Sequence, residues 1–87
     1  GYTICGEFRG HGYAYQALEL LSEKLYEDHI PSFFITTYED NGPSKKTIEN
    51  YGGKLLRKEK NVYDLEEKVV LVYSCETRVR DNNKKVK

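Results

Sequence analysis

A long amphipathic segment between two β-like runs constrains the fold more than any other feature of this chain. Its apolar residues recur at the i, i+3, i+4, i+7 and i+11 positions of one helical face: Ala14, Ala17, Leu18, Leu21 and Leu25. Polar residues are expected mostly on the opposite face: Glu19, Ser22, Glu23 and Lys24. The pattern predicts a helix from Gly12 to about Asp28, which ends at His29-Ile30-Pro31 because the residue before a proline is pushed out of the α region.

The runs on either side of this helix have the composition of strands. Tyr2-Thr3-Ile4-Cys5 precedes the helix, and the β-branched and aromatic run Phe33–Tyr38 follows it. The density of apolar residues in the second run predicts a strand buried on both faces, beside the first strand. Together the three elements predict a βαβ unit with parallel strands and a right-handed crossover.

The second half of the chain predicts a short helix and two more strands. Asn41 or Gly42 is expected to cap the helix, with Pro43 in its first turn and Gly52-Gly53 closing it in a left-handed conformation. Two runs then predict an antiparallel pair joined by a polar segment around Asp64-Leu65-Glu66-Glu67: Lys54–Arg57 and Val69–Tyr73. The predicted fold class is α+β with α/β/α layers, the element order β-α-β-α-β-β and a mixed sheet.

The segment Arg9-Gly10-His11-Gly12-Tyr13-Ala14, at the start of the long helix, has the composition of an anion-binding loop. Glycines let the backbone approach a ligand closely, and the helix that follows directs free N–H groups and its positive dipole end to the same place. The dinucleotide-binding and P-loop glycine patterns are both absent from the sequence. The segment therefore predicts a phosphorylated ligand, with a plain turn as the alternative.

Two ordered motifs resemble the GNAT superfamily of acyl-CoA-dependent N-acyltransferases. Arg9-x-x-Gly12-x-Ala14 matches the R/Q-x-x-G-x-G/A motif of that family. Downstream, Asp40-Asn41-Gly42-Pro43-Ser44 and Ile48-Glu49-Asn50-Tyr51-Gly52 are similar to its D-N-x-x-S...I-E-x-x-G segment. The resemblance implies that residues 1–76 are the C-terminal half of an acetyl-CoA-binding N-acetyltransferase domain. The excess of lysine and arginine over residues 77–87 predicts a basic, disordered tail.

The resemblance also implies which residues contact the co-substrate, acetyl-CoA. Backbone amides of the glycine-containing loop would hold the pyrophosphate, with Arg9 as a nearby cation. The pantetheine arm would pair like a strand with exposed backbone near Ile4 and Cys5, where the first strand splays from the second, and a backbone N–H there would stabilise the oxyanion. Asn41 would bind the pantetheine region and Ser44 would lie close to it, although both are also ordinary capping residues. The implied cofactor-binding set is Ile4, Cys5, Arg9, Gly10, His11, Gly12, Tyr13, Ala14, Asn41 and Ser44.

The implied reaction is direct transfer of the acetyl group from acetyl-CoA to an amine. It needs an acid for the departing thiolate, which many relatives supply as a tyrosine just after the position of Ile48, where this chain has Glu49. The candidate acids are therefore Tyr38 and Tyr51, with a packing role as the alternative for Tyr51. The family's general base and most acceptor contacts come from the N-terminal half, so this chain alone is expected to be inactive.

Charge and cysteine content limit the other classes of partner. The 14 basic and 14 acidic residues cancel, so neither a nucleic acid nor a membrane surface is expected as a partner. The two cysteines, Cys5 and Cys75, lack metal-site spacing, and His11 and His29 are separated by a whole helix, so no metal is expected. No targeting segment is recognised, and a cytoplasmic location is expected.

Expected partners are acetyl-CoA, an amine acceptor and the N-terminal half of the domain. An unpaired edge along Tyr2–Cys5 also allows a homodimer. Two other functions stay open at this point: a non-catalytic CoA-binding regulatory module, and a small α/β interaction or phosphate-binding domain.

Overall fold

The computed structural model describes residues 2–5, 12–63 and 65–79 of the 87-residue chain. The elements follow the order β-α-β-α-β-β, which confirms the predicted order and the α+β class. Their bounds are β1 Thr3–Cys5, α1 Gly12–Glu27, β2 Ser32–Tyr38, α2 Gly42–Tyr51, β3 Lys54–Tyr63 and β4 Glu66–Glu76.

The four strands form one mixed sheet in the order β1-β2-β4-β3. β1 pairs with β2 in parallel, so that Ile4 lies opposite Ile35, as the predicted βαβ unit requires. β4 lies antiparallel between β2 and β3. The mixed sheet and the antiparallel final pair are therefore both confirmed.

The final hairpin is longer than its apolar residues predict. β3 extends over 10 residues and β4 over 11, and Glu66 and Glu67 belong to β4 rather than to a loop. Backbone pairing carries the strands through this polar region, since Tyr63 lies opposite Glu66 and Val62 opposite Glu67. Strand pairing of this kind depends on the partner strand, so a scan for apolar residues underestimates it.

Both helices end in a left-handed residue that closes the last turn. In α1 this residue is His29, with φ of 66°, and the N–H of Ile30 donates to the carbonyl of Leu25 at 2.9 Å. In α2 it is Gly52, with φ of 108°, and the N–H of Gly53 donates to the carbonyl of Ile48 at 2.9 Å. This pattern satisfies carbonyls that a helix end otherwise leaves free. The predicted glycine closure of α2 is confirmed.

The buried face of α1 differs from the predicted one. Ala17, expected in the core, is exposed, whereas Ser22, expected on the polar face, is completely buried. The Ser22 hydroxyl accepts a hydrogen bond from the N–H of Arg78 at 2.8 Å and is also bonded to the Tyr51 hydroxyl. These partners offset the cost of burying a polar group, so the helix turns Ser22 inward rather than Ala17.

The core lies between the two helices and one face of the sheet. Its buried members are Leu18, Leu25, Phe33, Ile35, Ile48, Tyr51, Leu71, Tyr73 and Cys75. The described residues thus form two layers rather than the expected three, because α1 and α2 both pack on the face that carries Phe33 and Ile35. On the other face, Phe34, Thr36 and Tyr38 are half-buried, so β2 alternates instead of being buried on both sides.

Thr77 and Arg78, the first residues of the expected disordered tail, pack against the rest of the domain. The N–H of Thr77 donates to the carbonyl of Pro31 at 3.0 Å, and its hydroxyl donates to the carbonyl of Ile30 at 2.6 Å. The Arg78 guanidinium carbon lies 3.9 Å from the centroid of the Tyr51 ring. Packing contacts therefore continue past the predicted boundary at residue 76, and residues 80–87 lie outside the described ranges.

Candidate functional site

The two helices begin at the same end of the sheet, where the parallel strands β1 and β2 terminate. α1 follows β1 and α2 follows β2, and each helix runs back along the sheet from that end. Neither helix has an acidic residue in its first turn. Two positive dipole ends at the carboxyl edge of parallel strands, with no acidic residue in either first turn, are suited to an anionic ligand.

The predicted anion-binding loop is only partly described. Gly12, Tyr13 and Ala14 form the first turn of α1, where backbone N–H groups lack partners within the helix. Arg9, Gly10 and His11 lie outside the described ranges. The helical start at Gly12 places three of the predicted contact residues at the candidate site.

Ile4 and Cys5 are held in the sheet where the sequence predicted a splayed strand. Ile4 pairs with Ile35 and Cys5 with Thr36, in continuous register with the pairing of Thr3 and Phe34. The expected separation from β2 is therefore absent over Thr3–Cys5, because the parallel ladder continues to the last residue of β1. Among the described strands, β1 stands at the edge of the sheet, so its outer backbone edge faces away from β2.

Asn41 and Ser44 make a helix cap. Asn41 is the N-cap of α2, and its side-chain oxygen accepts a hydrogen bond from the N–H of Ser44 at 3.1 Å. Ser44 is fully buried. This is the capping role that the sequence allowed as an alternative, and it leaves Asn41 at the same end of the sheet as the first turn of α1.

Tyr51 lies in the core at the far end of α2, away from both helix N-termini. Its hydroxyl donates to the carbonyl of Glu76 at 2.6 Å and is bonded to the hydroxyl of Ser22. Burial, the largest cause, raises the pKa of Tyr51 above its ordinary value. These contacts are those of the packing role that the sequence left open for this residue.

Tyr38, the other candidate acid, is the last residue of β2 and lies at the candidate end of the sheet. It is half-buried on the face opposite the helices, and the Lys68 ammonium lies 5.8 Å from its ring centroid. A cavity of about 210 Å³ lies beside it, lined by Glu39, Asp40, Glu67, Lys68 and Val69. Of the two tyrosines, only Tyr38 is placed near the helix N-termini.

Two polar residues that the sequence analysis did not single out are buried on the helix side of the sheet. Tyr73 donates a hydrogen bond to the Glu49 carboxylate at 3.1 Å, and burial together with that bond raises its pKa to about 12. Thr37 is 3% exposed, and its hydroxyl has no hydrogen-bond partner. The period-two alternation of β2 is the signal that would have placed Thr37 on the core face, in line with Phe33 and Ile35.

A larger cavity, about 620 Å³, lies at the opposite end of the sheet. It is lined by Tyr26, Glu27, His29, Ile30, Pro31, Thr77 and Val79. None of the predicted site residues lines it. Its position beside the C-terminal end of α1 separates it from the helix N-termini.

Metal-ligating side chains do not cluster in threes within the described part of the chain. No helix in those ranges combines the length and apolar character needed to cross a membrane. In comparisons with protein-family models and with curated proteins, no match to this sequence is found.

Proposed function

We propose that this chain is the acyl-CoA-binding half of a GNAT-type N-acetyltransferase and acts in the cytoplasm. The proposal rests on one juxtaposition: the first turn of α1, with Gly12 and Ala14, and the cap of α2, with Asn41, lie at one end of a parallel strand pair. These are the residues of the two motifs that resemble the superfamily. The order β1-β2-β4-β3 and its mixed pairing are compatible with the C-terminal half of such a domain.

The residues present fit an anionic acyl carrier. The first turns of both helices are free of acidic residues and offer backbone N–H donors, which suit a diphosphate. Arg9 adds a cation three residues before the start of α1 in the sequence. The resemblance places the extended, amide-containing arm along the backbone at the end of β1, near Ile4 and Cys5.

In the proposed reaction an amine nitrogen attacks the thioester carbonyl carbon. A C–N bond forms, the C–S bond breaks, the nitrogen loses a proton to a base outside this chain, and the thiolate leaves as the free thiol once protonated. A backbone N–H at the end of β1, near Ile4 and Cys5, stabilises the oxyanion. Tyr38 is the better-placed candidate to protonate the thiolate, because Tyr51 is enclosed in the core.

The first test is a titration with CoA, acetyl-CoA and ATP, followed by amide chemical shifts. The proposal expects perturbations centred on Gly12–Ala14 and Asn41 with both CoA compounds and not with ATP. Replacing Gly10 and Gly12 together by valine should abolish these shifts. Gln16→Val is the matched control, because Gln16 is exposed on α1 about one turn past Gly12. Silence toward CoA, or unchanged affinity in the double valine variant, would contradict the proposal.

A non-catalytic CoA-binding module is the second candidate. The observation that favours it is the enclosure of Tyr51, which leaves one of the two candidate acids without access to a substrate. Release of free thiol from acetyl-CoA, measured on the full natural-length protein with a panel of amines, separates the two functions. Amine-dependent thiol release supports the enzyme, whereas CoA binding without release supports the module.

A further inference from the structure

The hydroxyl of Thr37 is buried and unpaired. Among the buried side-chain polar atoms of the described residues, its oxygen is the one without a hydrogen-bond partner. The residue as a whole is 3% exposed. Ser22, Tyr51 and Tyr73 are buried to a similar extent, yet each has a hydrogen-bonded hydroxyl.

Thr37 lies at the end of the sheet that carries the candidate site. It is the penultimate residue of β2, on the same face as Phe33 and Ile35, against which both helices pack. Its cross-strand neighbour is Leu71, an apolar core residue without a side-chain hydrogen-bonding group. Thr37 therefore lies on the helix-covered face of the sheet, at the end where α1 and α2 both begin.

An unpaired buried hydroxyl is unfavourable for folding, and valine has nearly the same shape without that cost. The presence of threonine here is accounted for if a bound ligand supplies the partner that the free protein lacks. A threonine hydroxyl can donate to a carbonyl and accept from an N–H, so it suits the amide groups of a pantetheine arm.

We propose that Thr37 is a positioning residue whose hydroxyl becomes hydrogen-bonded only when an acyl-CoA occupies the candidate site. This inference rests on the proposed function and adds a specific residue to it. The bond forms in a layer already shielded from water, so no solvent competes for the hydroxyl once the ligand is in place. Thr37 thereby favours the bound arrangement at the expense of the free protein.

The test compares three variants of the full natural-length protein. Thr37→Val removes the hydroxyl and keeps the shape, and Thr37→Ser keeps the hydroxyl. Thr36→Val is the matched control, because Thr36 is half-buried on the opposite face of the same strand. The measurements are the Tm without ligand and the Kd for CoA by calorimetry.

Thr37→Val should make the free protein more stable and its binding of CoA weaker. Thr37→Val should raise the Tm of the free protein and weaken CoA binding by about threefold to tenfold, the value of one net hydrogen bond. Thr37→Ser keeps the hydroxyl, so its Kd for CoA should stay within about twofold of the wild-type value. Thr36→Val should leave the affinity for CoA unchanged.

The failures of the two proposals are distinguishable. If the wild type binds CoA and Thr37→Val binds it equally well, the role of Thr37 is overturned while the proposed function stands. A lower Tm in Thr37→Val also overturns it, since the hydroxyl would then be paired in the free protein. If the wild type does not bind CoA, both the proposed function and this inference are overturned.

Discussion

Replacing Tyr51 by phenylalanine separates a packing role from a catalytic one. The substitution removes a hydroxyl that donates to the carbonyl of Glu76 at 2.6 Å and is bonded to Ser22, and it keeps the ring that packs against Phe33. Both partners lie within or next to the core, so the loss leaves buried polar groups less satisfied. We expect a loss of about 1–3 kcal/mol in the free energy of unfolding.

For a domain of this size, that loss lowers the Tm by about 4–8 °C for each kcal/mol. Urea unfolding at constant temperature supplies the free energy, and thermal unfolding supplies the Tm. A second variant, Tyr51→Phe with Ser22→Ala, removes both hydroxyls of the pair. Its loss should be smaller than the sum of the two single losses, because the groups share one hydrogen bond.

The activity of the full natural-length protein completes this test. At temperatures where Tyr51→Phe is folded, the rate of thiol release should stay within about threefold of the wild type and keep its pH profile, since a general acid would contribute about a hundredfold or more. Tyr38→Phe, changed in parallel, should slow thiol release. Unchanged stability of Tyr51→Phe combined with a hundredfold loss of rate would refute the packing assignment.

Three further predictions concern the fold and its pH dependence. Gly53→Ala should destabilise the protein by about 1–3 kcal/mol in urea unfolding, because the added Cβ would lie 2.6 Å from Ile48 Cγ2 and 3.0 Å from Cys75 Sγ. Gly42→Ala should not destabilise it, since a Cβ there meets no atom within 4 Å. Equal losses of stability in the two variants would contradict the close contact at Gly53. Asn41→Ala should lower the free energy of unfolding by about 1 kcal/mol through loss of the α2 cap, whereas Asn41→Asp should retain most of the capping stability. An unchanged urea midpoint for Asn41→Ala would contradict the cap. Burial raises the pKa of Cys75 from 9.0 to about 11, so the folded protein favours the neutral thiol. The stability that this thiol contributes is therefore complete below pH 9 and is lost as the pH rises toward 11. Cys75→Ala should flatten the alkaline decline of unfolding free energy, and an unchanged decline would contradict this origin.

Local patterns predicted the elements well. The cap of α2 and its closure depend on residues within one turn, so the sequence narrowed them to Asn41 or Gly42 and to Gly52-Gly53, and the structure has Asn41 and Gly52. The βαβ unit follows from two apolar runs and one amphipathic helix, and its parallel pairing is confirmed. The extent of the final hairpin was underestimated, because polar residues of β3 are held by their partner strand rather than by their own propensity.

The sequence predicted where the candidate site lies, but it did not predict the contacts of the side chains around it. The motif residues Gly12, Ala14 and Asn41 come together because both helices start at one sheet end, which chain topology alone implies. The environments of Tyr51 and Thr37 were not predictable to the same degree. Whether a tyrosine hydroxyl or a threonine hydroxyl has a partner depends on side chains that approach from other elements.

The sequence by itself determined the order of elements, their approximate bounds and the place where the helices begin, because backbone preferences, caps and apolar periodicity act over a few residues. Tertiary structure alone decided that Ser22 turns inward. The hydrogen bonds of Ser22 also enclose the Tyr51 hydroxyl and hold Arg78, after β4, against α1. The bonds responsible join Tyr51 to a residue 29 positions away and Arg78 to one 56 positions away. Such contacts form only when the sheet and both helices have assembled, so no local pattern records them.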